Sequence, residues 1–387
     1  MKTVFIVLFL IANSFIGKAQ IVTIPDPIFK ARLLAHDPMI DTNTDGEIQV
    51  AEALAFTDTM DVSSTAGDPN GILDLTGLEA FGNMQGFTAN NNPFTTADFS
   101  GNSALEDIMM NNTQLETMNI QNNQALKTLS ITNSNLTNVT VTNKPDLLLL
   151  QVNLSQLNQL EIANCPSLQF IYVQSNLLET ITLTDLPSLF ILNAGSNPLT
   201  SINLSTLTEL LFLKLDFTNL THLDVSALEN LIQLDVRESS LLEYINLKNG
   251  NNQNMDISGG GNSCNFENTT NLTEVCVDAI DSPLSNFIQG QTPQAVTFST
   301  ECVLATESFH LPKVTLYPNP SEGNVNIDAP HHIVKISIFT MIGTKVGEIS
   351  NQSAMTNFSV KALASGRYIV QLEDQNGTII LKGMIKK

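Results

Sequence analysis

Positive charge is scarce in this chain: 17 lysines and arginines face 38 aspartates and glutamates over 387 residues, a formal net charge of −21. The deficit is uneven, because residues 1–312 hold 33 acidic and 9 basic side chains whereas residues 313–387 hold 5 and 8. A polyanionic body repels nucleic acid and anionic membranes, so neither is expected as a partner, and its field suits divalent cations better. Histidine is also sparse, with only His36, His222, His310, His331 and His332. No H-E-x-x-H, G-x-S-x-G, Walker loop or Cys-x-x-Cys occurs, and His331-His332 after Pro330 reads as a solvated turn. With no converging nucleophiles, bases or ligands, the chain is not expected to be an enzyme. After the N-terminus no stretch reaches ~18 uninterrupted apolar residues, so no transmembrane segment is expected either.

What is present starts with 42% apolar residues, enough for two or three folding units with their own cores. Lys2, the apolar run Val4 to Ala12, and the small residues Gly17 and Ala19 just before Gln20 form a secretory signal peptide over residues 1–19. That run is too short to span a bilayer of about 30 Å, so the remainder is expected to be secreted and soluble.

The dominant feature is a period of 21 residues, held without a slip through Leu105, Leu126, Leu147, Leu168, Leu189, Leu210 and Leu231. Each coil opens L-x-x-L-x-L, as in Leu168, Ile171 and Val173, and a second such segment begins ten residues later, as in Leu178, Ile181 and Leu183. Alternation with period two makes each segment a short strand with one face inward, so stacked coils predict two parallel sheets. Offset eight carries Thr113, Ser134, Ser155, Asn176, Asn197, Thr218 and Ser239, small polar groups suited to bonding the amides of a buried turn. After Tyr244 the register slips by one, and a degenerate coil follows through Met255, Ile257 and glycines 259 to 261.

This pattern resembles the nested 21-residue leucine-rich repeats of bacterial surface proteins, over roughly residues 72–280. The resemblance implies a mainly β chain built as a leucine-rich-repeat solenoid with a small α-helical N-cap. Residues 20–71 look like that N-terminal cap, with Asp26-Pro27 opening a helix. Within it, Asp41, Asn43, Asp45, Gly46, Glu47 and Glu52 follow the spacing of an EF-hand loop, with Gly46 at the turn and Glu52 at position twelve. Calcium is the expected ion, with a structural role and an affinity of ~10⁻⁴ to 10⁻³ M, because an unpaired hand suits no sensor. Pro38 just before the loop is a departure that should end the entering helix early.

At the other end, Val275-Cys276-Val277-Asp278, the segment Leu284 to Gln291, and Phe298 to Cys302 resemble the closing segment of the same proteins, so that the solenoid with its cap spans residues 72–302. Cys165 and Cys264 stand 99 residues apart. That is nearly five coils at about 4.8 Å each, beyond the ~7 Å reach of a disulfide. Cys165 is then a buried thiol on its own coil, and the expected bond joins Cys276 to Cys302, with Cys264 a competing partner.

Residues 303–312 read as a linker, and from Lys313 seven short alternating segments suggest an Ig-like β-sandwich. Tyr317, Pro318, Asn319, Pro320 and Gly323, then Gly343, Gly366 and Tyr368, and finally Lys386-Lys387, are together similar to the type IX secretion C-terminal sorting domain over residues 313–387. The resemblance implies that the tail addresses the type IX machinery, carries the chain through the periplasm to the surface of a Bacteroidota-type bacterium or beyond it, and is then removed.

The outward positions of the solenoid strands supply the last candidate. At offset two the column reads Asp107, Thr128, Leu149, Phe170, Ile191, Phe212 and Gln233, with Leu148, Phe190, Leu211 and Ile232 at offset one and Tyr172 beside Phe170. Either Leu149, Phe170, Tyr172, Ile191 and Phe212 bind a partner, or they thicken the edge of the core. The sequence thus supports a secreted or surface recognition protein for a protein or glycan ligand, alternatively a structural envelope component whose repeats self-associate.

Overall fold

The computed structural model describes residues 20–66, 71–261, 263–302, 315–329, 332–340, 344–350, 355–374 and 379–387. The signal peptide, the 303–312 linker, Lys313, His331 and Gly343 lie outside the described residues. The chain divides into two compact units, Met1–Cys302 and Val303–Lys387.

In the first unit the leucine period becomes a nine-stranded parallel sheet. Its strands are Thr59–Asp61, Gly86–Thr88, Asp107–Met109, Thr128–Thr132, Leu149–Asn153, Phe170–Tyr172, Ile191–Asn193, Phe212–Lys214 and Gln233–Asp235. Registers repeat at the sequence period, with Leu150, Ile171, Leu192 and Leu213 opposite one another. The L-x-x-L-x-L side chains point inward: Leu168, Ile171 and Val173 are fully buried, as are Leu189, Leu192 and Ala194. Burying each leucine or isoleucine contributes about 1.5–3 kcal/mol, and the column has no gap along the unit.

The second side is not the continuous sheet that the repeat suggests. It is three pieces: Thr96–Asp98 with Thr117–Asn119; Asn138–Thr142, Gln159–Ala163 and Thr182–Thr184; and His222–Asp224, Tyr244–Asn246, Glu274–Cys276 and Thr297–Ser299. Between the first two pieces the carbonyls of Ile120 and Gln121 accept from the Lys144 ammonium, 2.7 and 3.2 Å away. At the second break residues 201–203 form no strand, and the coil is held by the Thr200 amide on the Glu179 carbonyl at 3.0 Å. Segments of three to five residues bring only a few ladder bonds each, so pairing on this side is easily lost between neighbouring coils.

The offset-eight residues are buried, but they bond more than the expected amides. Asn197 Nδ2 donates to the carbonyls of Val173, Ala194 and Gly195 while its Oδ1 accepts from the Leu178 amide. Asn176 repeats this one coil earlier. Where hydroxyl residues follow one another in the column they can bond each other, as Ser134 and Ser155 do at 2.9 Å and Thr218 and Ser239 at 3.1 Å, while Thr113 donates to the Met110 carbonyl.

The N-terminal end is closed by α1 (Pro27–Leu34) and α2 (Val50–Ala55). Asp26 caps α1 through the Ile28 and Phe29 amides and reaches the Leu73 and Asp74 amides with its other oxygen, tying cap to first coil. Burial alone would raise its pKa, but these four donors outweigh that and hold it below the ordinary aspartate value. At the far end α3 (Pro283–Gln291) and the strand Thr297–Ser299 cover the last coil. A disulfide joins Cys276 to Cys302 with Cα atoms 5.4 Å apart, and Cys165 and Cys264 are free and buried.

The second unit is a sandwich of two antiparallel sheets. One holds Thr315–Tyr317, Asn324–Asp328 and Asn357–Ser359; the other holds Lys345–Ser350, Ile333–Thr340, Gly366–Asp374 and Ile379–Lys386. Val325, Ile336, Phe358, Val370 and Leu372 belong to a core of its own.

Candidate binding face, metal loop and sorting motif

On the nine-stranded sheet, Leu149, Phe170, Ile191 and Phe212 stand opposite one another in consecutive strands. Each is half-buried, as is Tyr172. Strand spacing puts them about 4.8 Å apart in a ridge. Phe190, 37% exposed, sits between two of them, its ring centroid 6.3 Å from that of Phe170 and 5.6 Å from that of Phe212. Leu148, 42% exposed, extends the patch. The ridge stops at Gln233, whose amide donates to the Ser263 carbonyl beneath the degenerate coil.

Polar groups border the ridge. Asp235 is buried beside Arg237, and desolvation pushes its pKa up against the opposing pull of the Arg237 amide and guanidinium. The Asp216 carboxylate occupies the space a side chain at Gly195 would take, so a larger residue there would have to displace it. At the rim, Leu154 and Phe217 are more than half exposed and take left-handed backbone at φ 54° and 55°. The equivalent places in earlier coils are Asn91, Asn112 and Asn133, which tolerate that conformation and bond each other at 3.1 Å. Bulky apolar residues held in this region are outliers that need a reason.

The sequence did not single out Phe190 as the bridging ring, although its place at offset one between two ridge phenylalanines was a usable signal. It also missed the rim, because a left-handed residue is anticipated from glycine or asparagine and not from leucine or phenylalanine.

The loop of the N-terminal cap is organised by its own acceptors. Asp41 accepts from the Asp45 and Gly46 amides, Asn43 Oδ1 from the Asp45 amide, and Asp45 from the Glu47 amide. Gly46 supplies φ 82°. Glu52 accepts from the Thr42 hydroxyl and from the Thr42, Asn43 and Gln49 amides, completing a capping box on α2. Burial would raise the Glu52 pKa, but these donors pull it below the ordinary value; the Glu47 amide and the Gln49 side chain do the same for Asp45. The Glu47 carboxylate is turned away, 2.6 Å from Lys30 Nζ, so that residue has only its backbone carbonyl to offer the loop. The Gln49 amide lies 2.9 Å from Asp45 Oδ2, against the carboxylate a cation would use. Among the described residues no three of His, Cys, Asp and Glu are gathered as ligands. The edge that a second hand would fill is taken by the Ile21–Gln49 bridge.

The sorting residues divide by role. Tyr317 is 52% exposed, whereas Asn319 donates to the Gly383 carbonyl and accepts from the Ile385 amide. A side chain at Gly323 would meet Lys361 and one at Gly366 would meet the Tyr368 ring. Tyr368, buried, donates its hydroxyl to the Ala364 carbonyl at 2.8 Å. Peptide bonds to Pro318 and Pro320 are cis.

The family described as the secretion system C-terminal sorting domain matches residues 315–387. The protein therefore carries a sorting tail of the type IX kind, which engages that secretion machinery, and it is secreted, reaching the cell surface or the medium. No curated protein matches the sequence. Among solved structures the chain is similar to the functional domain of InlJ from Listeria monocytogenes, which includes a cysteine ladder, at 15% identity and a TM-score of 0.36, covering 95% of this chain and 98% of that one. It is also similar to an internalin, inlF, from Listeria monocytogenes str. 4b F2365, at 14% identity and a TM-score of 0.29, covering 70% of this chain and 96% of that one. At these scores neither likeness bears on function. Among the described residues no helix is long and apolar enough to cross a membrane.

Proposed function

We propose that this is a recognition protein rather than an enzyme, exported by its tail and binding a protein or glycan ligand through the long sheet of the solenoid. The observation that carries the reading is the ridge of Leu149, Phe170, Ile191 and Phe212, partly exposed and braced by the exposed Phe190. Soluble chains seldom leave a contiguous apolar patch of several hundred Å² open without use for it. The exposed Leu154 and Phe217 support the same reading, because each retains a backbone conformation costing roughly 1 kcal/mol for the sake of an outward apolar side chain.

The test pairs Phe170→Ser with Phe212→Ser in the full chain. Capture is assayed on a panel of extracellular proteins and neutral and acidic glycans, with melting measured in parallel. Each phenylalanine is expected to contribute on the order of 2 kcal/mol to binding, so capture should fall by more than tenfold while melting moves little. A drop of many degrees in melting would make these residues core and sink the reading. The alternative, a self-associating envelope component, requires ordered oligomers of the parent chain that the double variant abolishes.

We further propose that the 41–52 loop holds calcium in a structural role. Asp41, Asn43 and Asp45 would supply side-chain oxygens, Glu47 its carbonyl, and Glu52 its carboxylate. The left-handed Gly46 and the Glu52 capping position support this donor set. The Gln49 amide would have to leave the Asp45 carboxylate.

A further inference from the structure

On the second side of the solenoid the strands Thr117–Asn119 and Asn138–Thr142 belong to successive coils but do not pair. On the long sheet the same two coils are paired, with Ile108 opposite Leu129. The coils therefore part as a wedge, open on one side. Across the opening the Cα atoms of the two strands are for the most part more than 8 Å apart. A paired neighbour would stand about 4.8 Å away, and two such steps, about 9.6 Å, make room for one more strand. The opening is a cleft of about 670 Å³.

Both walls are unused strand edges. The Thr117 amide donates to the Thr95 carbonyl and the Asn119 carbonyl accepts from the Phe99 amide, so these residues face the preceding coil. Backbone groups alternate sides along a strand, which turns those of Met118 toward the cleft. On the other wall the Asn143 amide donates to the Ala163 carbonyl and the Thr137 carbonyl accepts from the Asn158 amide, so Asn138, Thr140 and Thr142 face the cleft. Among the described residues no backbone bond joins 116–121 to 137–142. Lys144 spans the opening instead. The equivalent donors Asn123 and Cys165 are short and bridge coils whose strands do pair, whereas the longer Lys144 side chain reaches the Ile120 and Gln121 carbonyls across the gap.

We propose that this cleft is a peptide slot, in which an extended neutral or basic segment of another protein inserts as a strand between Thr117–Asn119 and Asn138–Thr142. The occupant follows from the walls: a polypeptide presents alternating amides and carbonyls along both its edges at the repeat of these strands, and a glycan does not. Its side chains would alternate between an apolar floor, where Ile120 and Val139 are buried and Met118 half-buried, and an outer surface of Thr117, Asn138 and Thr140. The chain's own strand at 138–142, Asn-Val-Thr-Val-Thr, has that pattern. Asp98 and Glu161 stand exposed on the strands behind the two walls and disfavour an acidic segment. Lys144 is a positioning residue that props the slot open. The slot goes beyond the recognition reading, because it lies on the other side of the solenoid from the ridge.

The probe is a fluorescein-labelled peptide, Lys-Thr-Val-Thr-Val-Thr-Lys, titrated into the full chain, with amide exchange followed in parallel by mass spectrometry. The parent is expected to bind one peptide saturably and to exchange more slowly across residues 116–121 and 137–142. Thr140→Pro removes a cleft-facing amide and none that bonds the next coil, so it should weaken binding at least tenfold with little change in melting. Lys144→Asn restores the short donor of the neighbouring coils. The two strands should then pair, so that binding falls at least tenfold while melting holds or rises. Binding at the parent level in Lys144→Asn overturns the slot, as does a loss of binding in both variants that tracks a fall in melting. Absence of saturable binding, or protection confined to other segments, overturns it directly. Equal affinity for Glu-Thr-Val-Thr-Val-Thr-Glu would overturn the charge preference. Dimers of the parent that Lys144→Asn dissolves, without peptide binding, would overturn it in favour of a second copy of this chain. Phe170→Ser with Phe212→Ser should leave peptide binding intact, so the slot and the ridge fail separately.

Discussion

At the scale of single residues, one buried column shows how little of a donor's identity the repeat specifies. Asn102, Asn123, Lys144 and Cys165 follow one another at the repeat spacing, and each donates to a carbonyl 24 residues earlier, on Leu78, Phe99, Ile120 and Val141. Four side chains of three kinds do one job, so the spacing was visible in the sequence while the shared role was hidden by composition. Desolvation lowers the Lys144 pKa and raises that of Cys165, against the smaller pull of Lys144 on the thiol. Cys264 is the cleaner case, because burial pushes its thiol from 9.0 up to about 11. Between those values the unfolded chain releases the proton that the folded chain keeps, so stability is complete below pH ~9 and falls as pH rises toward 11. The loss saturates on the order of 2 kcal/mol. Melting of the parent from pH 8 to 11 should therefore fall more steeply than that of Cys264→Ala, and parallel curves would remove the thiol from the account.

At the scale of elements, inward faces were legible and lateral continuity was not. The period-two alternation places Leu183 and Ile162 correctly in the second side, yet nothing in residues 201–203 distinguishes a coil without a strand from its neighbours, because backbone pairing carries no side-chain signature. The metal loop is the reverse case: every residue was legible, and what the structure adds is competition. Glu47 is bound to Lys30 and Asp45 to Gln49, so calcium has to exchange with hydrogen bonds already made. The ion is then expected to stabilise the cap by mass action, by about 2.7 kcal/mol at a hundredfold excess over Kd. Asp45→Ala also removes the Glu47 amide's acceptor, so its absolute melting point decides nothing. The informative quantity is the shift between chelator and 10 mM calcium, several degrees for the parent and none for the variant. An equal shift in both, or no shift in the parent, would dismiss the site.

At the scale of the whole molecule, the two units divide labour. The disulfide and both free thiols lie in the first, and each unit has its own hydrophobic core, so nothing covalent beyond the linker ties the fold of the solenoid to the tail. The charge boundary runs the same way, with a strongly acidic repeat body and a tail in which basic residues outnumber acidic ones by 8 to 5. Folding and delivery should then be separable. A chain lacking residues 313–387 is expected to melt at the temperature of the parent's solenoid transition, keep the Cys276–Cys302 bond, and accumulate in the periplasm, because the signal peptide expected over residues 1–19 would provide only inner-membrane passage. Fractionation with thiol titration and calorimetry on the periplasmic product checks all three. A truncated solenoid that melts many degrees lower would mean that the tail is part of its fold, and the tail could then not be a removable address.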